Sequence, residues 1–336
     1  MAIYALNGEE IGAAYDVNGE TLAAAYDLDG LQILNGDYSI ANVVSYFRES
    51  TQDLADTITE LPEAWESFIF VTDTHGNGNK QHSQAIALYL LDNTPASMIV
   101  LGGDYSSENW SRSEYETYRA PYLNRAFLPM IYALFGNHET KGNGTVEAKQ
   151  CIYNDFLKDK SGLTGALTDN YYYFDDAGRK VRYVFLNTSD GGSQYEMSAA
   201  QISWISQAVQ LPGTDWQLIV FGHVTLNNMG IPTYSNESNG AAVVNAIKQC
   251  NGTIIGYFCG HQHIDALHHD GNFEHVTLQC DKFENVNYYD GVSVTDRVEG
   301  TTTEQAVSVI SFNTQTRQVV IRRIGAGRQR SMSYSY

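Results

Sequence analysis

Cysteine is scarce: Cys151, Cys250, Cys259 and Cys280 are the only four in the chain, and no two form a C-x-x-C pair. That spacing argues against a zinc ribbon, and the thiols read as small buried residues of a reducing compartment. Basic residues are also few, with 20 Lys and Arg against 39 Asp and Glu and a net charge of −19. No basic stripe offsets phosphate charge, so unaided binding to a nucleic-acid backbone is not expected. The acid excess reads as solubility. No apolar run approaches the ~20 residues needed to span a bilayer. No basic-then-apolar leader follows Met1, so no secretory signal is expected and the chain is placed in the cytoplasm. What remains is an ordinary globular composition, 43% hydrophobic. At this length roughly 75% of the unfolded surface can be buried, enough for one large domain or two smaller ones.

One pattern recurs through the chain: a short apolar run, read as a buried strand, ends in residues of metal-ligand type. Ser67–Val71 leads to Asp73-Thr74-His75. Ser97–Leu101 leads to Gly102-Gly103-Asp104. Pro129–Phe135 leads to Gly136-Asn137-His138-Glu139. Trp216–Phe221 leads to Gly222-His223, and Thr253–Phe258 leads to Gly260-His261-Gln262-His263. Five of the nine histidines lie in these motifs. In open α/β sheets, ligands sit outside the carboxyl ends of strands. One such histidine would read as a satisfied core residue, but five placed this way do not.

The ordered set D-x-H, G-D, G-N-H-E, G-H, G-H-x-H resembles the calcineurin-like metallophosphoesterase superfamily over about residues 68–263. The resemblance implies a four-layer α/β/β/α sandwich and a binuclear centre with a metal-bridging hydroxide as nucleophile. Position by position, it implies Asp73, His75 and His263 as ligands of one metal, Asn137, His223 and His261 of the other, and Asp104 between them. Two divalent ions bring +4 and Asp73 with Asp104 bring −2, so such a site is net +2 and attracts phosphate despite the acidic surface. A ligand set of oxygen and imidazole without thiolate suits manganese, iron or zinc. His138 is implied not as a ligand but as the group that assists the leaving oxygen. Glu139 could orient His138 or form a surface salt bridge. In an extended segment alternate residues share a face, so a small twist would let His261 and His263 address different metals. Family members often place an acid or Asn soon after G-D. Here the sequence runs Asp104-Tyr105-Ser106-Ser107-Glu108-Asn109, so that support is shifted or absent. Lys80, Arg112 and Lys141 lie near the motif loops and read as solvated. His82, His268, His269 and His275 have no motif partner and are not expected to bind metal.

Ahead of this body, Tyr4–Ile11, Tyr15–Leu22 and Tyr26–Ile33 repeat every eleven residues, each centred on Asn-Gly or Asp-Gly. These dipeptides suit two-residue hairpin turns. So small a unit holds no core and would dock or stay mobile. In composition the repeats resemble leader segments of bacteriophage tail-associated proteins, a resemblance that implies room for association with a virion and for protein docking. The expected division is a leader at 1–35, a connecting amphipathic helix within 36–63, the catalytic domain at 64–325 and a looped tail at 326–336. Helices are expected near 81–91, 114–127, 146–157, 198–209 (N-cap Ser198) and 241–249. Residues 171–174 and 181–186 read as a hairpin whose tyrosines lie on the sheet surface, and 275–278, 306–312 and 319–324 as late strands.

The expected function is metal-dependent hydrolysis of phosphate mono- or diesters. The alternative is a structural or binding module of a phage-like particle that recognises phosphate groups without turnover. The intact ligand set with His138 favours the enzyme, and the G-N-H-E motif disfavours a binuclear amide hydrolase.

Overall fold

The computed structural model describes residues 38–334 apart from 77–79, 124–125, 142–144, 227–234, 270, 272, 283–287, 290–291, 294–296, 305 and 328, together with two short strands near the start. Those strands, β1 (Ile3–Tyr4) and β2 (Glu10–Ile11), pair antiparallel with Ile3 opposite Ile11. The other two repeats of the leader lie outside the described residues.

The connecting segment forms two 3-10 turns, Ile40–Asn42 and Ser45–Phe47, before α1 (Arg48–Thr59). Phe47, Leu54 and Ile58 recur at helical spacing and are buried in the main core together with Val43. The segment is therefore packed on the body rather than linking two units. The chain then alternates: β3 (Trp65–Val71), α2 (Lys80–Asn93), β4 (Ile99–Leu101), α3 (Arg112–Arg119), β5 (Ile131–Ala133) and α4 (Thr145–Ile152). The helix expected at 114–127 starts earlier, because Ser111 caps it by accepting from the Glu114 N–H. It gives way at Ala120 to a 3-10 turn containing Pro121, whose ring disfavours continuation of the α-helix.

Next come β6 (Thr164–Ala166), β7 (Tyr171–Asp176), β8 (Val181–Phe185), α5 (Ala199–Ala208), β9 (Gln217–Phe221), α6 (Gly240–Ile247) and β10 (Thr253–Cys259). Ser198 caps α5 through the Gln201 N–H. The chain closes with β11 (Ala266–His269), β12 (Glu274–Thr277), the small pair β13 (Tyr288–Tyr289) and β14 (Val292–Ser293), β15 (Ala306–Asn313), β16 (Gln318–Gly325) and β17 (Arg330–Ser333). β17 corrects the reading of the tail as loop: it pairs antiparallel with β16, and buried Tyr334 anchors it through its hydroxyl to Gln217 and to the Asn313 carbonyl.

The strands form two large sheets, β17-β16-β15-β3-β4-β5 and β11-β12-β10-β9-β8-β7-β6. β3, β4 and β5 run parallel in the first, and β8, β9, β10 and β12 run parallel in the second. The sheets face each other through aromatic side chains: the Phe68 ring meets Phe221 at 5.3 Å and Phe258 at 5.6 Å, both edge-on. Truncating such a buried Phe to Ala costs about 3–5 kcal/mol. α1 and α2 cover the outside of the first sheet. Ile205 of α5 and Val243 and Ile247 of α6 pack on Val184, Leu218 and Val220 outside the second. The result is the expected α/β/β/α sandwich, with the parallel strands of both sheets ending on one side. The tyrosine run is not open sheet surface. Tyr172 is fully buried, stacked on Phe185 at 4.8 Å with its hydroxyl donating to the Ala133 carbonyl, while Tyr171 and Tyr173 lie against Trp204.

Candidate metal centre

Each of the seven expected ligands follows a parallel strand: Asp73 and His75 after β3, Asp104 after β4, Asn137 after β5, His223 after β9, His261 and His263 after β10. All seven are buried. Five of them, Asp73, His75, Asp104, His261 and His263, have left-handed backbone, with φ between 48° and 67°. That region disfavours most side chains, and its concentration here marks a site held in place by its surroundings. It also corrects the picture of an extended His261-x-His263. The strand stops at Cys259, and the left-handed bends let the His261 N–H donate to both Asp73 oxygens, at 3.1 and 2.9 Å. The two rings then diverge: His261 lies 5.4 Å from the His223 ring and His263 4.9 Å from the His75 ring.

The donor atoms converge in two groups, joined by a third made of His75, Asp104 and His138. Asp73, His75 and His263 make one, and Asp104, His223 and His261 another, each within 4.8 Å. His263 Nε2 is 3.3 Å from Asp73 Oδ1 and 3.0 Å from His75 Nε2. His223 Nε2 is 3.1 Å from both Asp104 Oδ2 and Asn137 Oδ1. Asp104 Oδ2 also lies 3.7 Å from His75 Nε2, which places it between the groups.

Three imidazoles have their orientation set from behind. His223 Nδ1 meets the Gly102 carbonyl at 2.8 Å, His75 Nδ1 the Ser107 carbonyl at 3.1 Å, and His261 Nε2 the Ser235 carbonyl at 2.9 Å. A carbonyl only accepts, so each of these nitrogens carries the proton. In the neutral imidazole the other ring nitrogen carries the lone pair that a metal would take. Carboxylates and imidazole nitrogens gathered this closely, with His75 and His263 Nε2 3.0 Å apart, fit a cation. Burial alone would raise the Asp73 and Asp104 carboxyls, but the surrounding histidines, led by His223, hold both below the usual range. Burial would lower His223, yet Asp104 and Asp73 raise it to about 9, whereas burial and His223 push His261 down to about 3. Oxygen and imidazole donors without thiolate suit hard to borderline divalent metals.

Two glycines make room for this. A Cβ on Gly260 would collide with the Asp73 carboxylate, and one on Gly136 with that of Asp104.

Glu139 neither orients His138 nor lies on the surface. It is fully buried, and its carboxylate accepts the N–H groups of Gly136 (2.8 Å), Asp104 (2.9 Å) and Tyr105 (2.9 Å). It thereby ties the loop after β4 to the loop after β5. Burial and Asp104 push its carboxyl up to about 7 against the pull of those donors. Glu108 and Asn109 are exposed, so neither supplies the support expected after G-D.

His138 sits at the rim. Its N–H donates to Asp104 Oδ1 at 2.8 Å, its Nε2 lies 3.8 Å from Asp104 Oδ2, and its ring stands edge-on to His75 at 4.5 Å. Lys141, read from sequence as solvated, reaches His138 Nε2 with Nζ at 2.6 Å. Its offset of three residues on a helical turn is the signal that could have revealed it. Tyr195 is a second residue sequence did not single out; its ring lies 5.5 Å from that of His261. Arg112 pairs with Glu116 and Glu147 at the surface, and the Lys80 side chain lies outside the described residues. His82 is bound to Tyr46 and Glu304. Neither it nor His268, His269 or His275 joins a metal-type cluster among the described residues. Cys259 and Cys280 are buried, Cys151 and Cys250 half-buried, and all four are free thiols.

The family model of the calcineurin-like phosphoesterases matches residues 67–265, more than half of the chain. Among solved structures, a dimetal phosphatase from Danio rerio is similar at 13% identity and TM-score 0.51, covering 80% of this chain and 99% of its own. A phosphatase from Mycoplasma pneumoniae is similar at 13% identity and TM-score 0.41, covering 80% and 94%. No curated protein sequence matches. No helix among the described residues is long and apolar enough to cross a membrane.

Proposed function

Because this chain belongs to the calcineurin-like phosphoesterase family and is a metal-dependent phosphoesterase, we propose that it hydrolyses phosphate mono- or diesters at the strand-end cluster, with His138 assisting the leaving group. The observation that carries this reading is the convergence of Asp73, His75, Asp104, Asn137, His223, His261 and His263 with His138 at the rim. Asp73, His75 and His263 would hold one divalent ion, Asn137, His223 and His261 a second, and Asp104 would serve both. Manganese, iron and zinc suit these donors. Such ions supply positive charge to the oxygens of a phosphoryl group and acidify water.

The chain's own residues do the rest. With two carboxylates against two divalent ions, the site remains net positive and draws in a phosphate that the acidic surface would repel. Gly136 and Gly260 keep the floor of the site free of side chains. The carbonyls of Gly102, Ser107 and Ser235 hold the ligand rings in register. His138 is fixed through its N–H to Asp104, so its Nε2 faces the place where a leaving oxygen gains charge. A proton passed through His138 and Lys141, whose Nζ lies 2.6 Å from that nitrogen, neutralises the oxygen as its bond to phosphorus breaks. The leader contributes none of these groups, and we assign it to docking on a protein partner.

His138→Ala tests the reading. The rate on alkyl phosphates should fall by roughly 10²–10⁴, the range for general acid catalysis, and much less on nitrophenyl esters. An equal fall on both would remove the acid role. Metal and phosphate binding with no turnover of any ester would make the chain a recognition module instead.

A further inference from the structure

We propose that the alcohol released by this enzyme is an uncharged polyhydroxylated one, a sugar or polyol, bound in the cleft between Thr140 and Tyr195. The proposal rests on the phosphoester reading above and names the substrate class of that site.

The cleft has a volume of about 660 Å³, within the range of small-molecule sites. It adjoins the centre at both ends. Thr140 closes the short turn that begins at His138, and the Tyr195 ring lies 5.5 Å from His261. A group leaving phosphorus on the His138 side would enter it.

Its lining is the argument. Thr140, Thr145, Ser189, Ser193 and Tyr195 contribute hydroxyls and Gln194 an amide, and no large aliphatic side chain is present. The two charged lining residues are already matched. Lys149 Nζ lies 3.1 Å from Asp169 Oδ1, and the Asp190 carboxylate accepts the Ser198 N–H at 2.6 Å and its hydroxyl at 2.7 Å. Apart from these two, the cleft offers neutral polar groups to its ligand. The Tyr195 hydroxyl and the Gln194 amide make no hydrogen bond among the described residues. The Thr140 and Ser189 hydroxyls donate to the carbonyls of Asn137 (2.6 Å) and Gln194 (2.8 Å) and keep lone pairs for an incoming hydroxyl. An alkyl or acyl group here would strip water from these groups and return nothing. A polyol replaces those bonds, and the Tyr195 ring gives an apolar face for the C–H side of a sugar.

Matched esters test this on the full-length, metal-loaded protein. kcat/KM is compared for sorbitol 6-phosphate against hexyl phosphate, and for bis-glyceryl phosphate against dipropyl phosphate, which separates free polyol esters from diester-linked ones. A preference of tenfold or more for the polyol in either pair is expected, roughly two hydrogen bonds' worth. Tyr195→Phe and Thr145→Val should each reduce the ratio by roughly 2- to 10-fold, the worth of one bond. Metal content and circular dichroism verify that each variant is folded, and either variant alone suffices. Calorimetry on the slow His138→Ala protein should show the same order in Kd. A wild-type ratio below tenfold in both pairs, or a ratio unmoved in the folded variants, overturns the proposal. Turnover of nitrophenyl phosphates without polyol preference overturns it alone, whereas turnover of no ester overturns the phosphoester reading as well.

Discussion

Lys141 Nζ lies 2.6 Å from His138 Nε2. An ammonium only donates, so in this arrangement His138 accepts and is neutral. Burial pushes the imidazole down to about 4, against the pull of Asp104 and with help from the positive groups around it. A proton for the leaving oxygen must then pass through the pair, with Lys141 recharging or orienting His138. Lys141→Met is expected to slow alkyl phosphate hydrolysis by roughly 100-fold, the lower end of the range for acid–base catalysis. Combined with His138→Ala it should cost little more than His138→Ala alone, because residues acting as a unit are not additive. Additive losses in steady-state kinetics would show that the two act separately.

Metal content offers a second check. Elemental analysis after reconstitution with manganese or zinc should approach two ions per chain. His261→Ala should lose one ion and slow every ester alike, unlike His138→Ala, which should keep both. Imidazoles bind metal only when deprotonated, so occupancy should fall on acidification below about pH 6. Full occupancy at pH 5 would contradict a histidine-built site.

Glu237 sets a pH dependence of stability apart from the metals. It is 5% exposed, and among the described residues neither carboxylate oxygen has a well-formed hydrogen bond, the Met197 N–H being its nearest donor. Burial, with Asp190 and Glu196 nearby, pushes its pKa from 4.5 up to about 8 against the pull of the Met197 N–H. The folded state thus holds the proton more tightly than the unfolded one. The stability this lends is full below the unfolded pKa and is lost as pH rises through 8, at about 1.4 kcal/mol for each unit. Glu237→Gln, which stays neutral, should melt well above the wild type at pH 9 and close to it at pH 5. Equal melting differences at both pH values would show that the carboxyl does not titrate on folding.

Deleting the leader addresses the division of labour. A chain beginning at Gly36 should keep its metal and its kcat, because every donor in the cluster lies beyond residue 72. Loss of turnover in a folded, metal-loaded protein would place the repeats at the active site.

The strand-end cluster was legible because each of its residues follows directly on an apolar strand, and parallel strands deliver their ends to one place. The layered architecture was legible from the same alternation. What sequence could not convey was the meeting of distant segments. Tyr195 reaches His261 from a loop with no periodicity. β17 is recognisable only once β16 stands beside it. Glu139 adjoins His138 in sequence, which suggested a pair, yet the short turn at His138–Thr140 folds its carboxylate back under three backbone N–H groups. Lys141 resembled any solvated lysine until the same turn brought it round.

The left-handed backbone at five of the donor positions has a consequence for stability. Each such residue costs roughly 1–3 kcal/mol, so together they draw on a stability that for a whole domain is only about 5–15 kcal/mol. Asp and His are among the few non-glycine types that tolerate this region, so conformation and the proposed metal chemistry favour the same residues here. Replacing any of them relieves local backbone strain but also removes buried bonds such as those from the His261 N–H to Asp73 and from the His138 N–H to Asp104, so their conformation and their contacts pull stability in opposite directions.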